Sequence, residues 1–144
     1  QSARPHDWLQ VTGGSIGQGL PVATGAAIAA PDRQVFAMEA DGSAMYTLQA
    51  LWTQARESLN VVNVIFNNQS YKILKIERKA LCAKESGPQS DPMLSIGNPE
   101  LNFVDLAKGM GVPAKRVNSS ESFVKELQRG IDEPGPYLIE AMIS

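Results

Sequence analysis

Two apolar runs, each closed by a cluster of polar turn residues, dominate the pattern along the chain. Residues 34–38 (Gln-Val-Phe-Ala-Met) read as a buried strand, followed by a turn at Glu39-Ala40-Asp41-Gly42-Ser43. Residues 61–66, β-branched and nearly unbroken, read as a second strand, closed by Asn67-Asn68-Gln69-Ser70. Between the two, Met45, Leu48, Leu51, Trp52 and Ala55 recur at spacings of three and four. That period predicts a helix with one apolar face, with Ser43 placed to cap it. Ahead of the first strand, Ala23, Gly25, Ala26, Ala27, Ala29 and Ala30 predict a closely packed helix over 17–30. Gly13, Gly14, Gly17 and Gly19 crowd the turn that leads into it, so the backbone there bends tightly or approaches something closely.

The second half repeats the alternation. Residues 71–84 set Ile73, Leu74 and Ile76 against Lys72, Lys75, Arg78 and Lys79, which predicts a helical start with a solvated basic face that becomes irregular. Prolines and glycines make 86–99 a long loop. Phe103, Leu106, Ala107 and Met110 predict a short helix, and 114–117 a short strand. Asn118-Ser119-Ser120-Glu121 starts a further helix with Phe123, Val124, Leu127 and Ile131 facing inward. A Glu133–Pro136 turn leads to a last strand over 137–143. Strands alternating with helices predict an α/β domain, its mainly parallel sheet covered by helices on both faces. In such sheets ligands bind beyond the carboxyl ends of the strands, which singles out the two polar turns.

Composition narrows the class. The 144 residues carry a formal charge of −2, with 43% hydrophobic and 19% charged residues. That fits one globular domain and excludes a polybasic nucleic-acid arm or an acidic disordered tail. Cys82 is the sole cysteine, so no internal disulfide framework or cysteine-rich metal cluster exists. The longest weakly polar stretch, 20–31, falls short of the about 20 apolar residues that cross a membrane. No basic start followed by an apolar run opens the chain, so a cytoplasmic protein is expected. The missing initiator Met suggests a piece of something longer. Weaker signals carry little. The glycine order at 14–19 is wrong for a dinucleotide fingerprint. The sequons at Asn68 and Asn118 and the lone His6 read as incidental.

Asp41 and Asn68 lie 27 positions apart, close to the about 30 residues of a strand-helix-strand crossover. The spacing therefore sets the two turns side by side. Mg²⁺ takes about six oxygen ligands, commonly one or two carboxylates with phosphate oxygens and water. Asp41, the Asn68 side-chain oxygen and the Ser70 carbonyl would supply three. A helix starting near Ser43 would turn free N–H groups toward an anion. The residues thus read as a site for a Mg²⁺-bridged diphosphate, or as two ordinary polar turns.

Asp41-Gly42-Ser43, then Asn67-Asn68 and Tyr71, resembles the thiamine-diphosphate motif, Gly-Asp-Gly followed at a set distance by Asn-Asn. The stretch Gly14-Ser15-Ile16-Gly17-Gln18-Gly19-Leu20-Pro21 is similar to the turn and helix ahead of that motif in acetolactate synthase and benzoylformate decarboxylase. The likeness runs from about Trp8 to Ile143. It implies a C-terminal cofactor-binding domain of the thiamine-diphosphate-binding fold, lacking its first element and its upstream domains. It further implies thiamine diphosphate and Mg²⁺ as cofactors. Asp41, Asn68 and Ser70 would be the metal ligands, and Gly42 and Ser43 would hold the diphosphate. The Gly14 carbonyl would accept from the aminopyrimidine, and Ile16 would be the apolar wedge beneath the bent cofactor. Tyr71 and Met45 line either the pocket or the core.

Two departures stand out. Ala40 replaces the first motif Gly, which is tolerable where φ is negative. No residue matches the activating Glu, so it is expected on a pyrimidine-binding partner domain, and the isolated chain is expected to be inactive. The resemblance points to an acetolactate synthase-like homo-oligomer acting on 2-oxo acids, with FAD possible in the parent enzyme. A benzoylformate-type decarboxylase and an inert binding or assembly module are the competing readings.

Overall fold

The computed structural model describes residues 5–81 and 90–143. Cys82 and part of the 86–99 segment lie outside that range. The elements in chain order are α1 (Gly19–Ala29), β1 (Val35–Ala40), α2 (Asp41–Ala44), α3 (Ala50–Arg56), β2 (Val61–Asn67), α4 (Lys72–Ala80) and α5 (Ser90–Met93). They continue with α6 (Phe103–Gly109), β3 (Ala114–Val117), α7 (Ser120–Asp132) and β4 (Tyr137–Met142). The four strands form one parallel sheet in the order β1-β2-β4-β3. This is the expected α/β architecture. Among the described residues no helix is long and apolar enough to cross a membrane.

The central strands are buried on both sides, which is why β2 reads as continuous apolar sequence rather than as an alternation. Alternate residues feed two cores. Val61, Ile65 and Leu138 pack with Leu20, Leu51 and Phe103 under α1, α3 and α6. Val62, Val64 and Ile139 pack on the opposite face against Phe123 and Leu127 of α7. Both faces therefore carry helices.

Several local expectations change. β1 starts at Val35 and runs on through Glu39 and Ala40, because the ladder with β2 holds to the Ala40–Phe66 pair. Ser43 does not cap: the helix begins at Asp41, and the cap position is Ala40, whose side chain offers nothing to cap with. The predicted single helix between the strands is two short ones, and Met45 and Trp52 are exposed while Leu48 and Leu51 are buried. On α7 the inward positions are Phe123, Glu126, Leu127 and Gly130, whereas Val124 and Ile131 are exposed. A side chain at Gly130 would meet Val62 and Tyr137, so the helix lies close to the sheet there. The start of α7 is as expected, with a Ser119–Ser122 capping box. α4 stays regular to Ala80, and Arg78 of its basic face pairs with Asp91 at 2.6 Å. The short helix α5 interrupts the expected loop.

Candidate functional site

β1 and β2 are parallel neighbours, so their carboxyl ends open at the same rim of the sheet. β1 delivers Asp41 and β2 delivers Asn67 to that rim. Asp41 is 1% exposed. Its Oδ1 accepts from the Gly42 N–H at 2.9 Å, and its Oδ2 from the N–H groups of Asn68 at 3.1 Å and Gln69 at 2.6 Å. The side-by-side placement expected from the 27-residue spacing is thus realised through this carboxylate. Hydrogen bonds to a charged acceptor contribute about 1.5–3 kcal/mol each. Three of them hold this buried carboxylate, yet among the described residues no cation pairs with it.

The second turn folds on its own amides. Asn68 Oδ1 accepts from the Ser70 N–H at 2.9 Å, and Asn67 Oδ1 from the Gln69 N–H at 3.0 Å. The Ser70 carbonyl accepts from the Lys72 N–H at 2.9 Å, and its hydroxyl donates to the Leu94 carbonyl. Gln69 sits at φ +56°, a left-handed backbone rare outside glycine. Each expected metal donor thus holds at least one internal hydrogen bond; Asp41 Oδ2 accepts two, whereas Asp41 Oδ1, Asn68 Oδ1 and the Ser70 carbonyl accept one each and keep a further lone pair.

The glycine-rich turn docks against the first turn. Ser43 Oγ accepts from the Gly17 N–H at 3.1 Å, and the Thr47 hydroxyl donates to the Gly17 carbonyl. Gly17 needs glycine twice over: its φ is +90°, and a Cβ would lie 2.6 Å from the Tyr46 Cβ. The Gly14 carbonyl accepts from the Ile16 N–H at 2.8 Å in a three-residue turn that leaves Ile16 55% exposed. Among the described residues no hydrogen bond joins Gly14 or Ile16 to Asp41; the Gly17–Ser43 hydrogen bond links their turn to the rim. At Gly42 a Cβ would lie 2.6 Å from the Tyr71 ring, so the bare backbone there lies against an aromatic face. Met45 is 39% exposed beside this turn. Ala40 has φ −80°, so the substituted motif position carries no strain. Glu39 lies within β1, buried beneath the start of α1, where it leaves no room for a side chain at Gly19.

The sequence pattern singles out Asn67 but not the Gln69 N–H, Thr47 or the buried Glu140, which also shape the rim. Glu140 had a signal: a carboxylate inside an apolar strand must find partners.

The chain matches the model of one family, "Thiamine pyrophosphate enzyme, C-terminal TPP binding domain", over residues 1–141. It is 51% identical, over 142 residues, to a Mycobacterium tuberculosis relative that carries the name acetolactate synthase large subunit IlvX, covering 98% of this chain and 28% of that one. It is 32% identical to the acetolactate synthase isozyme 1 large subunit of Escherichia coli, covering 97% and 24%. Among solved structures, the thiamine diphosphate-dependent 4-hydroxybenzoylformate decarboxylase of Rhodococcus jostii superposes with a TM-score of 0.78 at 39% identity, covering 87% and 22%. The benzoylformate decarboxylase of Polynucleobacter necessarius superposes at 0.81 and 25% identity, covering 92% and 24%. The chain spans about a quarter of the length of these relatives.

Proposed function

Because this chain belongs to the thiamine pyrophosphate enzymes, as their C-terminal cofactor-binding domain, we propose that it holds Mg²⁺-bridged thiamine diphosphate at the Asp41 and Asn68 turns. The parent enzyme would be acetolactate synthase-like and act on 2-oxo acids such as pyruvate. The observation that carries this is Asp41: a buried carboxylate, gripped by three backbone N–H groups, with no cation paired to it among the described residues. Such a group is costly to bury without a counter-charge.

The donor set fits Mg²⁺, a hard cation that takes oxygen ligands and keeps few carboxylates. Asp41, Asn68 and Ser70 would hold the metal. Gly42 and Ser43 would face the diphosphate. Gly14 and Ile16 would meet the aminopyrimidine and the bend of the cofactor. When bound, the cofactor supplies the electron sink for bond-making or bond-breaking beside a carbonyl. This chain's residues contribute binding and orientation; the activating glutamate would come from a pyrimidine-binding domain, within a cytoplasmic homo-oligomer. The likeness to the benzoylformate decarboxylases favours a second reading, simple decarboxylation of an aromatic 2-oxo acid.

Calorimetric titration of thiamine diphosphate into the intact protein, with and without Mg²⁺, tests the site. Binding that requires Mg²⁺ and is lost in Asp41→Ala is the expected result; Mg²⁺-independent binding would sink it. Product analysis with pyruvate and with benzoylformate separates the two activities.

A further inference from the structure

We propose that Glu140 is a positioning residue for the metal-binding turn, acting through Asn67 and paired with Arg116, which it shares with Glu100. This rests on the Mg²⁺–diphosphate reading above. A single polar chain crosses the carboxyl rim of the sheet in its spatial order β3-β4-β2-β1. On β3, Arg116 donates from Nε to Glu140 Oε2 at 2.9 Å and from Nη2 to Oε1 at 3.1 Å. On β4, Glu140 Oε1 also accepts from Asn67 Nδ2 at 2.7 Å. At the end of β2, Asn67 Oδ1 accepts from the Gln69 N–H at 3.0 Å. The same N–H donates to Asp41 Oδ2 at 2.6 Å, at the end of β1.

The Glu140 side chain is wholly buried, while its partner Arg116 is partly exposed. An apolar residue would fill that strand position at less cost, since a buried ion pair rarely repays the loss of hydration. Its neighbours Leu138, Ile139 and Ala141 do just that. What a carboxylate adds is direction. It only accepts, so it forces the Asn67 amide to present Nδ2 to itself and Oδ1 to the turn. Two acceptors, Asn67 Oδ1 and Asp41 Oδ2, then converge on the Gln69 N–H and hold that residue in its left-handed conformation. The flanking residues Asn68 and Ser70 are two of the expected metal donors. Partners behind metal ligands commonly alter metal affinity by about 10–100-fold when removed.

The test is the Mg²⁺ concentration that gives half-maximal thiamine-diphosphate binding, measured by calorimetry on the intact protein, alongside the melting temperature without ligand. The unaltered protein is the control: if it shows no Mg²⁺-dependent binding, the cofactor reading itself fails. Given that binding, Glu140→Gln and Asn67→Ala should each raise the Mg²⁺ requirement about tenfold. The double variant should raise it no further, because both act on one turn. A lowered melting temperature with an unchanged Mg²⁺ requirement would make the network structural only and overturn the proposal. Additive shifts would overturn the route through Asn67. Should Glu140→Gln fail to fold, Asn67→Ala alone decides, since an unchanged requirement in that variant also refutes the proposal.

Discussion

Two of the polar clusters buried among the described residues differ in kind. In the middle of the sheet, Gln54 Nε2 donates to Thr24 Oγ1 and to Asn63 Oδ1, and Asn63 Nδ2 returns to Gln54 Oε1 at 2.7 Å and reaches the Tyr137 carbonyl. That cluster is neutral and its donors and acceptors answer one another across α1, α3, β2 and β4. At the carboxyl rim, Asp41 and Glu140 are carboxylates; Arg116 pairs with Glu140, and among the described residues Asp41 is held by backbone N–H groups alone. A neutral, closed network is what folding requires of buried amides. A charged one that stays open to further ligation is what a binding site requires. Stability and cofactor affinity should therefore separate between the two.

The sharpest way to break the contrast is Asp41→Ala. It should cost about 1,000-fold in Mg²⁺-dependent cofactor affinity, ~4 kcal/mol at about 1.4 per decade, as measured by calorimetry. Gln54→Ala should do the reverse. Unpaired Asn63 and the cavity should cost about 3 kcal/mol in denaturant unfolding, with the affinity unchanged. Gly42→Ala sets a methyl against the Tyr71 ring, and a loss of about tenfold in affinity is expected, ~1.4 kcal/mol. Partial rescue by Tyr71→Ala in the same protein would sharpen the assignment of that contact.

The smallest effect lies at the side chain of Tyr137, whose carbonyl belongs to the neutral cluster. Burial, and then its hydrogen bond to Glu126 at 2.6 Å, push the Tyr137 hydroxyl up to about 12. The unfolded chain releases that proton near pH 10, so the folded state binds more protons above it. Stability from this group is complete below about pH 10 and falls as pH rises toward 12. Tyr137→Phe should abolish that part of the alkaline slope in unfolding curves. At neutral pH it should cost about 1 kcal/mol, the net worth of one hydrogen bond.

Much of this was legible in one dimension, and the failures have physical reasons. β2 announced itself because a strand buried on both faces needs a nearly continuous apolar run, broken here only by Asn63 before its polar end at Asn67. The 27-residue gap placed Asp41 beside Asn68 because crossover units have a narrow range of lengths. Ser43 was misread as a cap, since its hydroxyl is equally suited to the distant Gly17 N–H that it accepts. Four apolar positions of α7 read as inward, because hydrophobicity alone cannot tell which stripe meets the sheet; the close approach at Gly130 keeps Phe123 and Leu127 inward and leaves Val124 and Ile131 exposed.

By itself the sequence determined the alternation of strands and helices, the parallel sheet and the residue types gathered at its rim. Those follow from periodicity, turn chemistry and crossover length, which are local along the chain. Only the tertiary structure decided that Asp41 would be held by N–H groups from 27 and 28 residues away. It alone decided that Glu140, 73 residues from Asn67, would stand behind the same turn. Hydrogen bonds between strands depend on which strands become neighbours, and the order β1-β2-β4-β3 is a property of packing rather than of any local pattern.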